Sequence, residues 1–294
     1  MTPDLLFAMP GNEALATSLA RSLCCEMGAL VTRKFPDGET YLRFDSAVAG
    51  KHIAVLSTLN NPDTKIVPLL FAAHAAHEMG AAKVGLVAPY LAYMRQDRSF
   101  KSGEAVTSHA MATLISQHFN WLVTVDPHLH RYKSLTELYM IPATVMHAAP
   151  ILSAWIAAHV KKPFLIGPDE ESAQWVAETA RDLHAPFTVL RKSRRGDRDV
   201  AVSAPDLVAI GDRTPVFLDD IISSGQTMLE AIRLLQTQGV EHPVCLAVHG
   251  LFAGNCDRTL TELGARVVTT NTVPGAYAKI DLSGLIADGI RATA

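Results

Sequence analysis

A chain of 294 residues is long for one domain and natural for two, and its 49% hydrophobic and 19% charged content suits packed cores and excludes a disordered chain. A formal charge of −3 excludes nucleic-acid binding driven by bulk electrostatics, although a local basic cluster can still hold a small anion. The opening MTPDLLFAMPGNE has no basic n-region, no apolar stretch reaches membrane-spanning length, and Cys24, Cys25, Cys245 and Cys256 form no C-x-x-C pair. The expectation is a cytoplasmic protein with buried, reduced thiols and neither a membrane nor a nucleic acid as partner.

In chain order, the first signal is FPDGET, a Pro-Asp-Gly turn between apolar segments that begins at Phe35 and by itself is an ordinary turn. A strand at 52–57 leads to a helix at 63–79, which Gly80 should cap, and then to a strand at 84–88. PYLAYMRQDR follows, mixing aromatics with Arg95, Gln96 and Asp97. Such a stretch can stack on a purine and bind phosphate, or it can be a solvated loop. A helix at 107–118 and a strand at 121–125 come next, and the strand ends in VDPHLH with Asp126, His128 and His130. Zinc finds neither cysteines nor an i, i+4 pair there, and magnesium would need a carboxylate and a phosphate beside the histidine.

The second half repeats the alternation. Helices are expected at 150–159 and 172–183, and strands at 164–166 and 187–190. RKSRRGDRD, 191–199, has no apolar residue and reads as a mobile basic loop between strands or, as such runs usually are, a solvated charge run. A strand at 216–218, a helix at 225–238 capped by Gly239, strands at 244–248 and 267–270, and a final helix at 282–290 complete the chain. Short apolar strands between amphipathic helices imply α/β architecture, with two doubly wound parallel-sheet domains at 1–145 and 146–294. Residues 78–88 and 238–248 share one rhythm, a hint of two similar halves.

The strongest chemistry lies in VFLDDIISSGQT. An apolar strand ends in Asp219 and Asp220, and a small-residue turn then opens a helix. Free N–H groups at a helix start, with hydroxyls from Ser223, Ser224 and Thr227 and a close backbone approach at Gly225, make an anion site. The acids can accept bonds from vicinal sugar hydroxyls. A bare S-S-G is more often a flexible N-cap, but the acid pair behind an apolar strand points to a ribose phosphate.

This loop resembles the phosphoribosyl-diphosphate motif of the type I phosphoribosyltransferase family, which does not by itself separate transferases from the synthetase of the diphosphate sugar. FPDGET, PYLAYMRQDR, VDPHLH, IGPDEES, RKSRR, LDDIISSGQT and VHGLFAGN, in this order, resemble the ribose-phosphate diphosphokinase family, closest in wording to its archaeal-type branch. The resemblance implies two domains of phosphoribosyltransferase type and a magnesium-dependent transferase of nucleotide biosynthesis. Its partners would be ATP, ribose 5-phosphate and a second copy in a homodimer or larger homo-oligomer. It places Phe35, Asp37 and Glu39 on the adenine of a neighbouring subunit, and Arg95, Gln96 and Asp97 at the ATP site. It places His128 and Asp169 on magnesium, Lys192 and Arg194 on the transferring group, and Asp219, Asp220, Ser223, Ser224, Gly225, Gln226 and Thr227 on ribose 5-phosphate. Four positions depart from the family pattern: Glu170 and Glu171 replace small residues, Gln226 replaces a glycine, and Ser223 replaces an acid. A catalytically silent regulatory subunit and a phosphoribosyltransferase are the rival readings.

Overall fold

The apolar runs at 52–57, 84–88 and 121–125 become central strands because a parallel strand is buried on both faces and needs side chains that lose nothing there. The computed structural model describes residues 2–99, 101–129, 131–190, 192–194, 200–202 and 210–294, with backbone alone at 171, 174, 192–194 and 200–202. Two compact units divide the chain: residues 1–147 with 282–294, and residues 148–281.

The first unit begins with β1 (Leu5–Ala8), α1 (Glu13–Leu23) and β2 (Glu26–Met27), followed by the antiparallel hairpin of β3 (Leu30–Lys34) and β4 (Thr40–Phe44). It continues through β5 (His52–Leu56), α2 (Asp63–Glu78), β6 (Lys83–Ala88), α3 (Thr107–His118), β7 (Trp121–Val125) and β8 (Ala143–Met146). Its sheet runs β2-β1-β5-β6-β7-β8, parallel throughout. Gly80 ends α2 at φ 82°, the left-handed conformation a C-terminal glycine supplies.

The second unit contains α4 (Ala149–His159), β9 (Pro163–Gly167), α5 (Ala173–Leu183) and β10 (Phe187–Val189), then a second antiparallel hairpin of β11 (Lys192–Arg194) and β12 (Val200–Val202). There follow β13 (Thr214–Ile222), α6 (Gln226–Thr237), β14 (Val244–Gly250), α7 (Cys256–Glu262), β15 (Arg266–Thr270) and β16 (Ala278–Ile280). Its sheet runs β10-β9-β13-β14-β15-β16, again all parallel. Phe164, Ile166, Phe217, Met228, Ile232, Leu235 and Leu260 fill its core. Each unit thus runs strand, edge strand, hairpin and four further strands, so the faint rhythm in the sequence reflects one topology used twice.

The structure corrects four expectations. The strand read at 216–218 extends to Ile222, because β14 pairs with it as far as Ile222↔Gly250; Asp219 and Asp220 therefore belong to the strand, and the turn proper is 223–225. The stretch read as a basic loop forms β11 at 192–194, while Arg191 and 195–199 lie outside the described residues. Cys24 is exposed and Cys25 half-buried, leaving Cys245 and Cys256 as the buried thiols.

The last helix, α8 (Ser283–Thr293), belongs to the first unit and not, as its place in the chain suggested, to the second. It packs on α1, β7 and β8. Thr293 Oγ1 donates to Thr144 Oγ1 at 2.6 Å, and the Arg291 guanidinium donates to the Ser22 carbonyl. Gly289 lies against the sheet so closely that a Cβ would fall 2.7 Å from Met146 Sδ and 3.0 Å from Val123 Cγ1. Gly289→Ala is therefore expected to destabilise the first unit by about 1–3 kcal/mol through overpacking, read as a lower Tm; an unchanged Tm would mean that α8 docks loosely.

Candidate active site

In an open parallel sheet, ligands bind at the carboxyl ends of strands where the chain order reverses. In the second unit that point lies between β9 and β13. Asp169 follows β9 in the extended region and caps the 3-10 turn Glu170–Ser172, accepting from Ser172 N–H at 3.4 Å, while Ser172 Oγ donates to the Asp169 carbonyl at 2.6 Å. Asp219 and Asp220 stand within the last paired stretch of β13, Asp220 two residues short of its carboxyl end at Ile222. Burial, then the charges of Asp220 and Asp169, push the Asp219 carboxyl well above the usual carboxylate range. Three carboxylates on one sheet edge favour a ligand that donates hydrogen bonds or carries positive charge.

Ser223, Ser224 and Gly225 turn the chain into α6. Gly225 caps the helix at φ 63°, no side chain caps it, and no acid occupies its first turn. The first intrahelical bond runs from Leu229 N–H to the Gly225 carbonyl at 2.9 Å, so the N–H groups of 226–228 face the turn as anion donors. The left-handed position is carried by Gly225 alone. Gln226, standing where the family has glycine, is the first residue of the helix, and its Nε2 donates to Glu230 Oε1 at 2.7 Å. The helix therefore accommodates that departure. Glu170 is exposed, and the Glu171 side chain lies outside the described residues. Lys192 and Arg194 pair with Val202 and Val200 across the hairpin; their side chains too lie outside the described residues.

The first unit gathers another set of residues at the carboxyl ends of β6 and β7. Gln96 Oε1 accepts from Thr107 Oγ1 at 3.2 Å. Asp97 pairs with Arg131 Nε at 3.2 Å, and its carbonyl accepts from the Tyr132 hydroxyl at 3.1 Å. His109 Nε2 meets the same hydroxyl at 2.9 Å. Arg95 is exposed. The turn after β7 holds Asp126 at φ 35° and His128 at φ 53°. His147 Nδ1 lies 2.9 Å from Asp126 Oδ1, and His130 is outside the described residues. Arg131, Tyr132, His109 and His147 support the two motifs, yet no local pattern in the sequence marked them.

Phe35, Asp37 and Glu39 sit at the tip of the β3–β4 hairpin. Phe35 is 38% exposed, large for an aromatic ring, with the Arg33 guanidinium 4.6 Å from its centroid and Tyr41 edge-on at 6.1 Å. The turn's hydrogen bonds close on themselves: Phe35 N–H to the Glu39 carbonyl at 2.9 Å, and Glu39 N–H to Asp37 Oδ1 at 3.2 Å. None reaches Arg95, Gln96 or Asp97.

Comparison with known proteins agrees along the chain. Residues 5–118 match the N-terminal domain of ribose phosphate pyrophosphokinase, and residues 134–280 match the phosphoribosyl transferase domain. A ribose-phosphate pyrophosphokinase of Methanopyrus kandleri is 32% identical, covering 97% of this chain and 98% of its own. That of Sulfolobus acidocaldarius is 32% identical, covering 90% and 91%. The crystal structure of phosphoribosylpyrophosphate synthetase from Mycobacterium smegmatis superposes with a TM-score of 0.86 at 26% identity, covering 98% of both chains. No described helix is long and apolar enough to cross a membrane. The chain belongs to the ribose-phosphate pyrophosphokinase family.

Proposed function

We infer that the chain transfers the diphosphoryl group of ATP to the 1-hydroxyl of ribose 5-phosphate, giving 5-phosphoribosyl 1-diphosphate and AMP. Family membership over nearly the full length carries this reading. The match of residues 5–118 to a pyrophosphokinase N-terminal domain argues against a phosphoribosyltransferase. The presence of Lys192, Arg194, His128 and Asp169, with Gln226 accommodated in α6, argues against a silent regulatory subunit. Formation of AMP that depends on ribose 5-phosphate tests it; no AMP from the pure protein would favour the regulatory reading.

Each residue has a task under this reading. Asp219 and Asp220 accept from the sugar hydroxyls. Ser223, Ser224 and Thr227 and the first N–H groups of α6, including that of Gln226, hold the 5-phosphate. Arg95, Gln96 and Asp97 line the ATP site. The sugar O1 attacks the β-phosphorus, the bond from that phosphorus to the α,β-bridging oxygen breaks, AMP leaves with the oxygen, and the hydroxyl proton is released. Lys192 and Arg194 offset charge on the transferring group, and the rest is positioning.

His128 and Asp169 would hold magnesium, which when bound neutralises phosphate oxygens. Among the described residues no three of His, Cys, Asp and Glu group as a metal site, but magnesium in phosphoryl-transfer sites takes only one or two carboxylates and completes its shell with substrate oxygens and water. Asp219 is raised first by burial and then by the charges of Asp220 and Asp169, and those neighbouring negative charges are what a bound cation would offset.

Phe35, Asp37 and Glu39 read as contacts to the adenine bound by a second copy, since the hairpin tip presents an exposed aromatic ring whose own bonds stay within the hairpin. The expectation is a homodimer or larger, in which Phe35→Ala raises the ATP KM by about tenfold through lost stacking, an effect on the scale of a desolvated aromatic contact. Sedimentation beside the assay checks it: a monomer with full activity would contradict the shared site.

A further inference from the structure

The stretch after β14, 251–256, contains the end of VHGLFAGN, to which no task has been given. It lies directly against the turn assigned to the 5-phosphate. Leu251 and Phe252 N–H both donate to the Ile222 carbonyl, at 2.9 and 3.1 Å. Ala253 N–H donates to the Ser223 carbonyl at 3.0 Å, and the Cys256 thiol donates to the same oxygen at 3.1 Å. A Cβ at Gly225 would lie 3.3 Å from Cys256 Sγ, so the sulfur that bonds Ser223 also fills the space a side chain at Gly225 would need.

The segment is itself tightly held. Phe252, Gly254 and Asn255 adopt left-handed backbone at φ 49°, 65° and 59°, which non-glycine residues keep only where the surroundings fix them. Gly250 makes room for the Phe252 ring, which would lie 2.5 Å from an added Cβ and packs edge-on against Tyr277 at 5.3 Å. Cys256, 4% exposed, is the first residue of α7 and the one side chain among these anchors that donates to the turn.

We propose that 251–256 fixes the height and tilt of the 223–225 turn, and that Cys256 is a positioning residue for ribose 5-phosphate. The backbone bonds place Ile222 and Ser223, while the thiol closes the gap beneath Gly225. A donor array for a phosphate works only if its N–H groups keep their aim, so loosening the turn weakens ground-state binding of the sugar phosphate and leaves ATP and the transfer step alone. The inference rests on the reading of this turn as the 5-phosphate site.

Steady-state kinetics on Cys256→Ala, Cys256→Ser, Asp220→Ala and Val244→Ala separate the two. Val244 is buried at the amino end of β14, far along the strand from the turn, and reports general destabilisation. Cys256→Ala is expected to raise the ribose 5-phosphate KM about fivefold, the scale of one lost neutral hydrogen bond, with turnover and the ATP KM within about twofold of the parent. Cys256→Ser, which restores a donor, should return that KM to the parent value, and Val244→Ala should lower Tm alone. If Cys256→Ala does not fold, Cys256→Val, which keeps bulk without the donor, is read in its place. A raised KM in Asp220→Ala with a parental KM in the cysteine variant overturns the positioning role. A parental ribose 5-phosphate KM in Asp220→Ala overturns the assignment of the site, and the positioning role with it.

Discussion

Lys192→Ala and Arg194→Ala are each expected to lower turnover by about 10²–10³-fold, roughly 3–4 kcal/mol, the cost of removing one preorganised charge-stabilising donor from a transition state. The ATP KM should change far less. A cation that meets the diphosphoryl group only as charge shifts between the attacking and leaving oxygens contributes little to the ground state, so its loss appears in kcat. Both residues stand on β11, in register with Val202 and Val200, and the hairpin occupies the same place in the second unit that the Phe35 hairpin occupies in the first. Arg198→Ala supplies the control, from a position outside the described residues in the same charged run. Parental kinetics in all three variants would mean that the run is a solvated surface, the usual fate of such sequences. A loss confined to the first two would assign the transition-state charge residue by residue.

Asp220→Ala carries the next largest effect. Ribose 5-phosphate should bind about 10- to 100-fold more weakly, since a charged acceptor for sugar hydroxyls is worth about 1.5–3 kcal/mol, whereas ATP binding should hold. Stability should move the other way. Asp219 is pushed up by burial first and by the Asp220 charge second. A raised carboxyl pKa in the folded state costs stability at neutral pH, where the unfolded chain holds that carboxylate at no such cost. Removing Asp220 relieves part of this, so Tm at pH 7 should equal or exceed the parent's, a trade of function against stability seen where like charges are held together for a ligand. Calorimetry with each substrate, beside a thermal melt, reads both. Equal losses for ATP and ribose 5-phosphate would contradict the assignment of Asp220 to the sugar.

The architecture was legible because buried parallel strands write themselves as apolar runs, and because Gly80 and Gly239 mark helix ends with the one residue type suited to the left-handed turn. The acid pair and the S-S-G turn were legible for the same local reason. What stayed hidden depends on pairing at a distance. The extension of β13 through Asp219 and Asp220 is set by its register with β14, not by its own composition. The support that Arg131 and Tyr132 give Asp97, that His147 gives Asp126, and that Cys256 gives Ser223 joins residues 34, 35, 21 and 33 positions apart, beyond any helical or strand period. The final helix was found, but its sheet was assigned by nearness in the chain. The contact that decides otherwise is the absence of a side chain at Gly289 against Met146, which hydropathy does not report.

The central claim is that the β-phosphorus is attacked and the two terminal phosphates move as one group. ATP labelled at the β-phosphorus, incubated with the protein, magnesium and ribose 5-phosphate, tests this directly. The account requires the label to appear in the sugar diphosphate, with unlabelled AMP formed in equal amount and only when ribose 5-phosphate is present. Labelled ADP beside a sugar carrying a single new, unlabelled phosphate would mean attack at the γ-phosphorus and contradict the account.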